Sequence, residues 1–231
     1  IMYKAENPPE IFYSTFAVMT NFIPIFPLQM VVFPGEDLNL HIFEPRYKQL
    51  INECFQQHKP FGIPVVINNE LKDYGSLIYI KEIAQTYTNG EMDIRTKADK
   101  MFRVLEVITE IPEKLYSGAI VNYPDNNLDG GDQQVMQMLV SKMKDLHDGL
   151  QVKKDFHKAE SDLTSYDIAR HSGLSLQQEY EFLQLTHERQ RQEYLKRHFE
   201  ATLPAFEEMK RLREKIQMNG HFRNIEGFSV K

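Results

Sequence analysis

The sequence changes character at a turn-rich connector, residues 124–132 (PDNNLDGGD), which contains two adjacent glycines. Before the connector, short apolar runs bounded by Pro, Gly and Asn are typical of strands. After it, apolar residues recur every three or four positions, as they do on amphipathic helices. This segregation predicts an α+β fold with a strand-rich subdomain at 22–125 and a helical subdomain at 126–220.

Five or six short strands are predicted in the first half, a number that suits a small barrel or a curled sheet. The clearest local signal is Asn89-Gly90, a pair that favours a hairpin turn. After this turn the return strand alternates between apolar and polar side chains. Its inward-facing residues are expected to be Met92, Ile94, Thr96 and Ala98. The runs at 101–111 and 115–123 predict two further strands.

One helix is predicted inside the strand-rich half. It begins at Pro45, because the proline ring fixes φ near the value that a first helical residue adopts. The apolar residues that follow have helical spacing and form one stripe: Tyr47, Leu50, Ile51, Cys54 and Phe55. Cys54 is therefore expected to be buried and inert. As the single cysteine of the chain, it excludes an intramolecular disulfide and suits a reducing compartment, so we expect a cytoplasmic location.

Two capping boxes predict helix starts in the second half. Thr164 with Asp167, and Ser175 with Gln178, each place a hydroxyl at an N-cap and a hydrogen-bonding side chain three residues later. An earlier helix is expected to end at Gly149.

A long amphipathic pattern follows, from residue 186 to Gly220, which is a natural helix end. Pro204 lies inside the pattern, so the helix is expected either to kink there or to be divided in two. Segment 186–217 holds eight Lys/Arg and six Asp/Glu. This alternation of charges predicts an exposed face with ion pairs.

Motifs that carry chemistry are absent. No glycines have the spacing of a P-loop, of a dinucleotide-binding turn or of a serine-hydrolase elbow. His187-Glu188 resembles the start of a zincin helix, but Arg191 occupies the place of the second histidine.

The formal net charge of −6 gives no drive toward nucleic acid or an anionic membrane, and no apolar run has the length of a transmembrane helix. We expect no enzymatic activity, no cofactor, no metal and no membrane contact.

The most specific pattern lies in residues 23–62. It contains Pro27-Leu28, Val31-Val32, Pro34-Gly35, Leu38, Leu40, the run from Ile42 to Tyr47 and the run from Phe61 to Ile63. In this register the segment resembles the opening of the amino-terminal, substrate-binding domain of the ATP-dependent Lon protease. The resemblance continues more weakly to about residue 216. The family has a glycine near Ala98-Asp99, so this pair departs from the family's loop before the strand at 101–111.

The resemblance implies a PUA-like β pseudo-barrel with one inserted helix, followed by a C-terminal helical bundle with a long amphipathic helix. It implies a stand-alone bacterial protein that binds polypeptide without cleaving it, since the AAA+ and peptidase motifs of Lon are missing from this sequence. Unfolded or tagged polypeptides are the expected partners, with a Lon-type protease as a further one. Two alternatives remain open: a PUA-like RNA-binding module, and a domain that binds a small ligand in a barrel pocket.

Five residues are candidates for polypeptide binding: Phe33, Phe43, Glu44, Arg46 and Tyr47. The last three lie at a predicted helix start, where backbone N–H groups also point outward, and Arg46 could pair with a substrate carboxylate. The simpler interpretation is structural. In that case Glu44 and Arg46 tie the helix to the barrel, while Tyr47 and the two phenylalanines pack in the core.

The two ends of the chain carry no clear pattern. Residues 1–18 are mixed in composition, begin with Ile and contain two adjacent prolines. We expect an N-terminal extension at 1–21, with biological initiation at Met19, and a loose tail at 221–231.

Overall fold

A computed structural model describes residues 21–150, 158–159 and 162–225. The first half contains β1 (Asn21–Pro24), β2 (Asp37–Ile42), α1 (Pro45–Gln56), β3 (Phe61–Ile67), β4 (Glu70–Thr86), β5 (Met92–Ile108) and β6 (Gly118–Asn122). The second half contains α2 (Gln133–Leu150), α3 (Ser165–His171), α4 (Leu176–Leu183) and α5 (Glu188–Ile225). The predicted α+β order is confirmed. The extension up to residue 20 and the last six residues lie outside the described ranges.

The six strands form one antiparallel sheet in the order β1-β6-β5-β4-β3, and β2 pairs separately with β5. β4 and β5 are 17 residues long, and their pairing shifts register at three places. Such bulges bend a strand and increase its twist, so these two long strands can curl. Parallel bridges from Ile25 to Gly62 and from Leu28 to Val65 bring the chain after β1 back to β3. The result is a pseudo-barrel.

The first half of β5 follows the predicted alternation, because Met92, Ile94, Thr96 and Ala98 are all buried. No loop follows Ala98, since β5 continues to Ile108 as one strand, in agreement with the departure from the family pattern there. β5 keeps its direction, but the strands with which it pairs change along its length. Residues 92–97 pair with β2 on one side and β4 on the other, and residues 103–108 pair with β6.

The helix α1 fills one side of the barrel with the predicted apolar stripe. Tyr47, Leu50, Ile51 and Cys54 are buried, while Phe55 at the edge of the stripe stays partly exposed. Burial raises the pKa of the Cys54 thiol to about 12. The predicted burial of Cys54 is confirmed, and a raised pKa of this kind favours the protonated, less reactive thiol.

In the second half both capping boxes are confirmed, at Thr164 for α3 and at Ser175 for α4. The longest helix, α5, has 38 residues and runs through Pro204 without a break. The expectation that Gly220 ends this helix is wrong, and so is the tail predicted for 221–225, because α5 continues to Ile225. Glycine ends a helix only where it adopts a left-handed conformation. None of the helices in the described part of the chain is long and apolar enough to cross a bilayer.

The exposed face predicted for α5 is wrong at its first turn, because Glu188 and Arg191 are buried. Arg191 Nη2 lies 2.9 Å from Glu188 Oε2. Its Nη1 donates to Asn126 Oδ1 at 2.8 Å and its Nη2 to the Asn127 carbonyl at 2.7 Å, and the guanidinium lies 4.7 Å from the centroid of the Tyr166 ring. Arg191 therefore fastens the connector between the two halves to α5.

A second arginine joins the barrel to the helices. Arg170 of α3 forms ion pairs with Glu36, which precedes β2, at 2.9 Å, and with Glu179 of α4 at 2.8 Å. Its guanidinium lies 4.9 Å from the centroid of the Phe33 ring. Phe33 in turn packs its ring against those of Tyr166 and Phe182, with centroids 5.4 and 5.6 Å away. The two halves therefore share one apolar cluster, beside two clusters of barrel residues.

Candidate functional site

The chain leaves the sheet at the end of β2 with an inward residue followed by an outward one. Ile42 is 1% exposed, whereas Phe43 is 58% exposed. Successive side chains of a strand point to opposite faces, and Pro45 then starts α1 before another strand residue can follow. The structural interpretation of Phe43 as a core residue is therefore wrong.

Two further rings form a row with Phe43. The His41 ring centroid is 6.3 Å from that of Phe43, with the planes 25° apart. On its other side, the Tyr87 ring meets His41 edge-on at 5.9 Å. All three side chains are exposed. We refer to His41, Phe43 and Tyr87 as the aromatic row.

Carboxylates surround the imidazole in the middle of this row. His41 Nδ1 lies 2.7 Å from Asp93 Oδ1, and its Nε2 lies 3.2 Å from Glu91 Oε2. Tyr87 donates its hydroxyl to Asp93 Oδ2 at 2.7 Å. The hydrogen bond with Asp93 raises the pKa of His41, and Glu91 adds to this effect. With two carboxylates and one imidazole, the rim of the row has a net negative charge in either protonation state of His41.

The first turn of α1 lies next along the chain. Glu44 is the N-cap residue, yet its carboxylate does not cap the helix. It accepts instead from Arg46 Nε at 2.9 Å. The Arg46 guanidinium lies 4.5 Å from the centroid of the Tyr47 ring, which stacks on Phe26 at 3.8 Å in the core. The prediction that Glu44 and Arg46 tie the helix to the barrel is wrong, because they pair with each other at the surface. The predicted core position of Tyr47 is confirmed.

The hairpin between β4 and β5 closes the other side of the site. Its turn is stabilised by Gly90, which has a φ of +75° and donates its N–H to the Tyr87 carbonyl at 2.9 Å. Lys48 of α1 donates its Nζ to the Asn89 carbonyl at 3.1 Å. The start of α1, the hairpin and the end of β2 therefore hold one another in place.

A shallow cavity of about 510 Å³ adjoins the aromatic row. It crosses three neighbouring strands, β2, β5 and β4, and is lined by Asn39, Leu40, His41, Ala84, Gln85, Asp93, Ile94 and Arg95. Arg95 is engaged with Glu82 at 2.7 Å. In the residues that the structure describes, no group of three or more His, Cys, Asp or Glu side chains could hold a metal ion.

Of the five predicted residues, the structure brings four together. Phe43, Glu44 and Arg46 share the surface at the start of α1, with Tyr47 beneath them. Phe33 lies elsewhere, buried between the barrel and the helices. Sequence reasoning missed His41 and Tyr87. His41 could have been found from strand alternation, since it lies two residues before Phe43 and so shares its face.

The fold and this site define a class: a pseudo-barrel domain with an attached helical bundle that presents an open surface. The ATP-dependent protease La (LON) substrate-binding domain family matches residues 23–220. The chain therefore belongs to this family.

Solved structures share the fold. The Lon N-terminal domain protein from Xanthomonas campestris aligns with a TM-score of 0.59 at 22% identity, over 76% of this chain and 96% of that one. The N-terminal domain of the Mycobacterium avium complex Lon protease aligns with a TM-score of 0.56 at 12% identity, over 79% of this chain and 100% of that one. At these identities the two structures bear on the fold alone.

Proposed function

We propose that this chain is a non-catalytic polypeptide-binding module, and that the aromatic row is part of its contact surface. The observation that carries the proposal is the exposure of Phe43 at 58% on a surface held rigid by three elements. Large exposed aromatic side chains are the usual anchors of binding surfaces, because burying them on contact releases water from apolar area. Membership of a substrate-binding family supports polypeptide as the ligand class.

Unfolded segments suit this surface better than folded proteins do. The row offers apolar area, and folded proteins keep most of their large apolar side chains inside. The carboxylates of Glu91 and Asp93 lie around it, whereas that of Glu44 is paired with Arg46. Opposite charges attract across an interface, so segments that carry apolar and basic side chains are the expected substrates. Cleavage is not part of the proposal, and degradation assays with casein and ATP should yield no products.

The test compares two phenylalanines. A fluorescently labelled, permanently unfolded polypeptide is titrated with the wild-type chain, with Phe43→Ala and with Phe22→Ala. Phe22 is a matched control because it is 53% exposed but lies on β1, which pairs with β6 and not with β2. When a ligand covers the exposed half of a Phe side chain, the contact contributes about 1–2 kcal/mol to the free energy of binding. Phe43→Ala loses this contribution and should therefore weaken binding about 5- to 30-fold. Phe22→Ala should change it less than about twofold.

Two results would contradict the proposal. If the wild-type chain binds no unfolded polypeptide, the function is wrong, and tight, salt-sensitive binding of RNA would favour the alternative. If both Phe variants weaken binding equally, polypeptide binding stands but its placement at the aromatic row is wrong. Circular dichroism of each variant checks that the fold is intact.

A further inference from the structure

Strand β2 has an open edge. Among the described residues it pairs with β5 alone, and β5 uses its opposite edge to pair with β4. β2 is therefore the outermost strand at this place in the sheet. The backbone groups on its far side face away from the barrel, directly beside the aromatic row.

The register identifies those backbone groups. Ala98 N donates to the Glu36 carbonyl at 2.8 Å just before β2 begins. In an antiparallel pair every second residue exchanges hydrogen bonds with its partner, so the bonds to β5 continue from Leu38, Leu40 and Ile42. The residues between them, Asp37, Asn39 and His41, have N–H and C=O groups that point outward.

β2 carries few of the usual protections of an edge strand. Natural edges are blunted by Pro, by bulges, by charged side chains or by short length. A bulge at Gly35 and Glu36 lies just before β2, where both Gly35 N–H and Glu36 C=O bond to Ala98, and Asp37 is a charged side chain that is paired with Lys81. From Asp37 to Ile42 the strand contains no Pro and pairs with β5 in continuous register. An edge of this kind is a template for another extended chain.

We propose that a substrate segment adds to the sheet as a further strand along the open edge of β2, with one of its side chains placed against Phe43. This inference rests on the polypeptide-binding function proposed above. The backbone of the segment pairs with Asp37, Asn39 and His41. The neighbouring carboxylates of Glu91 and Asp93 favour basic side chains in the segment.

The occupant is an unfolded segment of another protein and not a second copy of this chain. The net charge of −6 on each copy and the acidic rim at this edge oppose self-association. Strand addition also explains how one surface could accept unrelated sequences. Backbone hydrogen bonds are the same for nearly every residue type, and folded proteins have already used theirs.

The experiment changes the backbone and leaves the side-chain surface in place. Asn39→Pro removes one outward N–H but no hydrogen bond to β5, and proline is tolerated at such edge positions. Asn39→Ala is the matched control, since it loses the same side chain and keeps the N–H. Titrated with the labelled unfolded polypeptide, Asn39→Pro should bind about tenfold more weakly than wild type, while Asn39→Ala should bind within about twofold of it.

A second measurement uses the wild-type chain, so that a folding defect cannot imitate the result. A short apolar and basic peptide is synthesised in two versions with N-methyl groups on alternate backbone amides. The first version is methylated at the odd-numbered amides and the second at the even-numbered ones, and these are the two methylation phases. One phase should lose about tenfold in affinity and the other should bind as the parent peptide does. A conserved affinity in both phases would overturn strand addition.

The outcomes separate this inference from the function on which it rests. If Phe43→Ala weakens binding but Asn39→Pro and both methylated peptides bind normally, strand addition is wrong and the proposed function stands. If the wild-type chain fails to bind at all, the proposed function falls first. A concentration-dependent dimer that Asn39→Pro abolishes, seen by analytical ultracentrifugation, would assign the edge to a second copy and overturn the inference.

Discussion

Two arginine–glutamate pairs in this protein are built alike and placed differently. Arg191 pairs with Glu188 and lies over the Tyr166 ring at 4.7 Å. Arg46 pairs with Glu44 and lies over the Tyr47 ring at 4.5 Å. The side chains of the first pair are 0% and 7% exposed, and those of the second are 52% and 36% exposed.

The difference shows that position, and not residue type, decides what such a pair can do. The guanidinium of Arg191 is enclosed and donates to Glu188 and to acceptors in the connector between the two halves. Losing it would leave a carboxylate in the interior without its partner. The pair at the start of α1 is hydrated and screened, so its members can exchange partners at little cost. The first pair therefore holds the fold, whereas the second lies exposed at the surface.

The largest expected effect follows from removing the buried arginine. Arg191→Ala leaves Glu188 buried and uncompensated, and should lower the free energy of unfolding by about 3–5 kcal/mol. Urea denaturation followed by circular dichroism measures the change. A loss below about 1 kcal/mol would mean that the buried pair contributes no more than a surface pair does.

An intermediate effect is expected at the joint between barrel and helices. The Arg170 side chain is 25% exposed and pairs with both Glu36 and Glu179. Because hydrogen bonds to charged groups contribute about 1.5–3 kcal/mol each and partial exposure reduces them, Arg170→Ala should lower the free energy of unfolding by about 2 kcal/mol. The control is Arg197→Ala, since Arg197 is 75% exposed in its pair with Glu193 and should cost about 0.3–0.5 kcal/mol. Equal losses from the two variants would show that burial of the ion pair does not determine its contribution to stability.

The smallest effect on stability is expected at the candidate site. Arg46→Ala should change the free energy of unfolding by less than about 1 kcal/mol, because the pair with Glu44 is exposed to solvent. The same urea titration, run beside Arg191→Ala, gives the ratio of the two losses. A loss at Arg46 as large as that at Arg191 would show that the start of α1 is part of the structural framework and not a surface open to a ligand.

Much of the fold could be predicted from the sequence, because its signals are local. The alternation from Met92 to Ala98 and the helical stripe of α1 need only neighbouring residues. The charge pattern places Glu188 and Arg191 at the surface, because charged residues are rarely buried. Their spacing from Leu195 and Phe199, which are also buried, places all four on one face of α5. The helical period therefore decides which residues of α5 are buried, even charged ones, where the interior supplies partners for the charges.

The candidate site was predicted only in part. Phe33 and Phe43 each follow a buried β-branched residue, so local pattern treats them alike. Phe33 is covered by Tyr166 and Phe182, which lie more than a hundred residues further along the chain. In the described part of the molecule, the ring that lies beside Phe43 is that of the exposed His41 instead. Long-range packing of this kind leaves no trace in the residues beside either phenylalanine.

By itself the sequence determined the α+β order, the start of α1, both capping boxes and the family pattern at 23–62, since each can be read from the order of residues along the chain. The tertiary structure decided which phenylalanine is exposed, which Arg–Glu pair is buried and which edge of β2 is open. These depend on where distant elements meet. Burial and free hydrogen-bonding edges belong to the packed molecule, because water is excluded only where segments far apart in the chain come into contact.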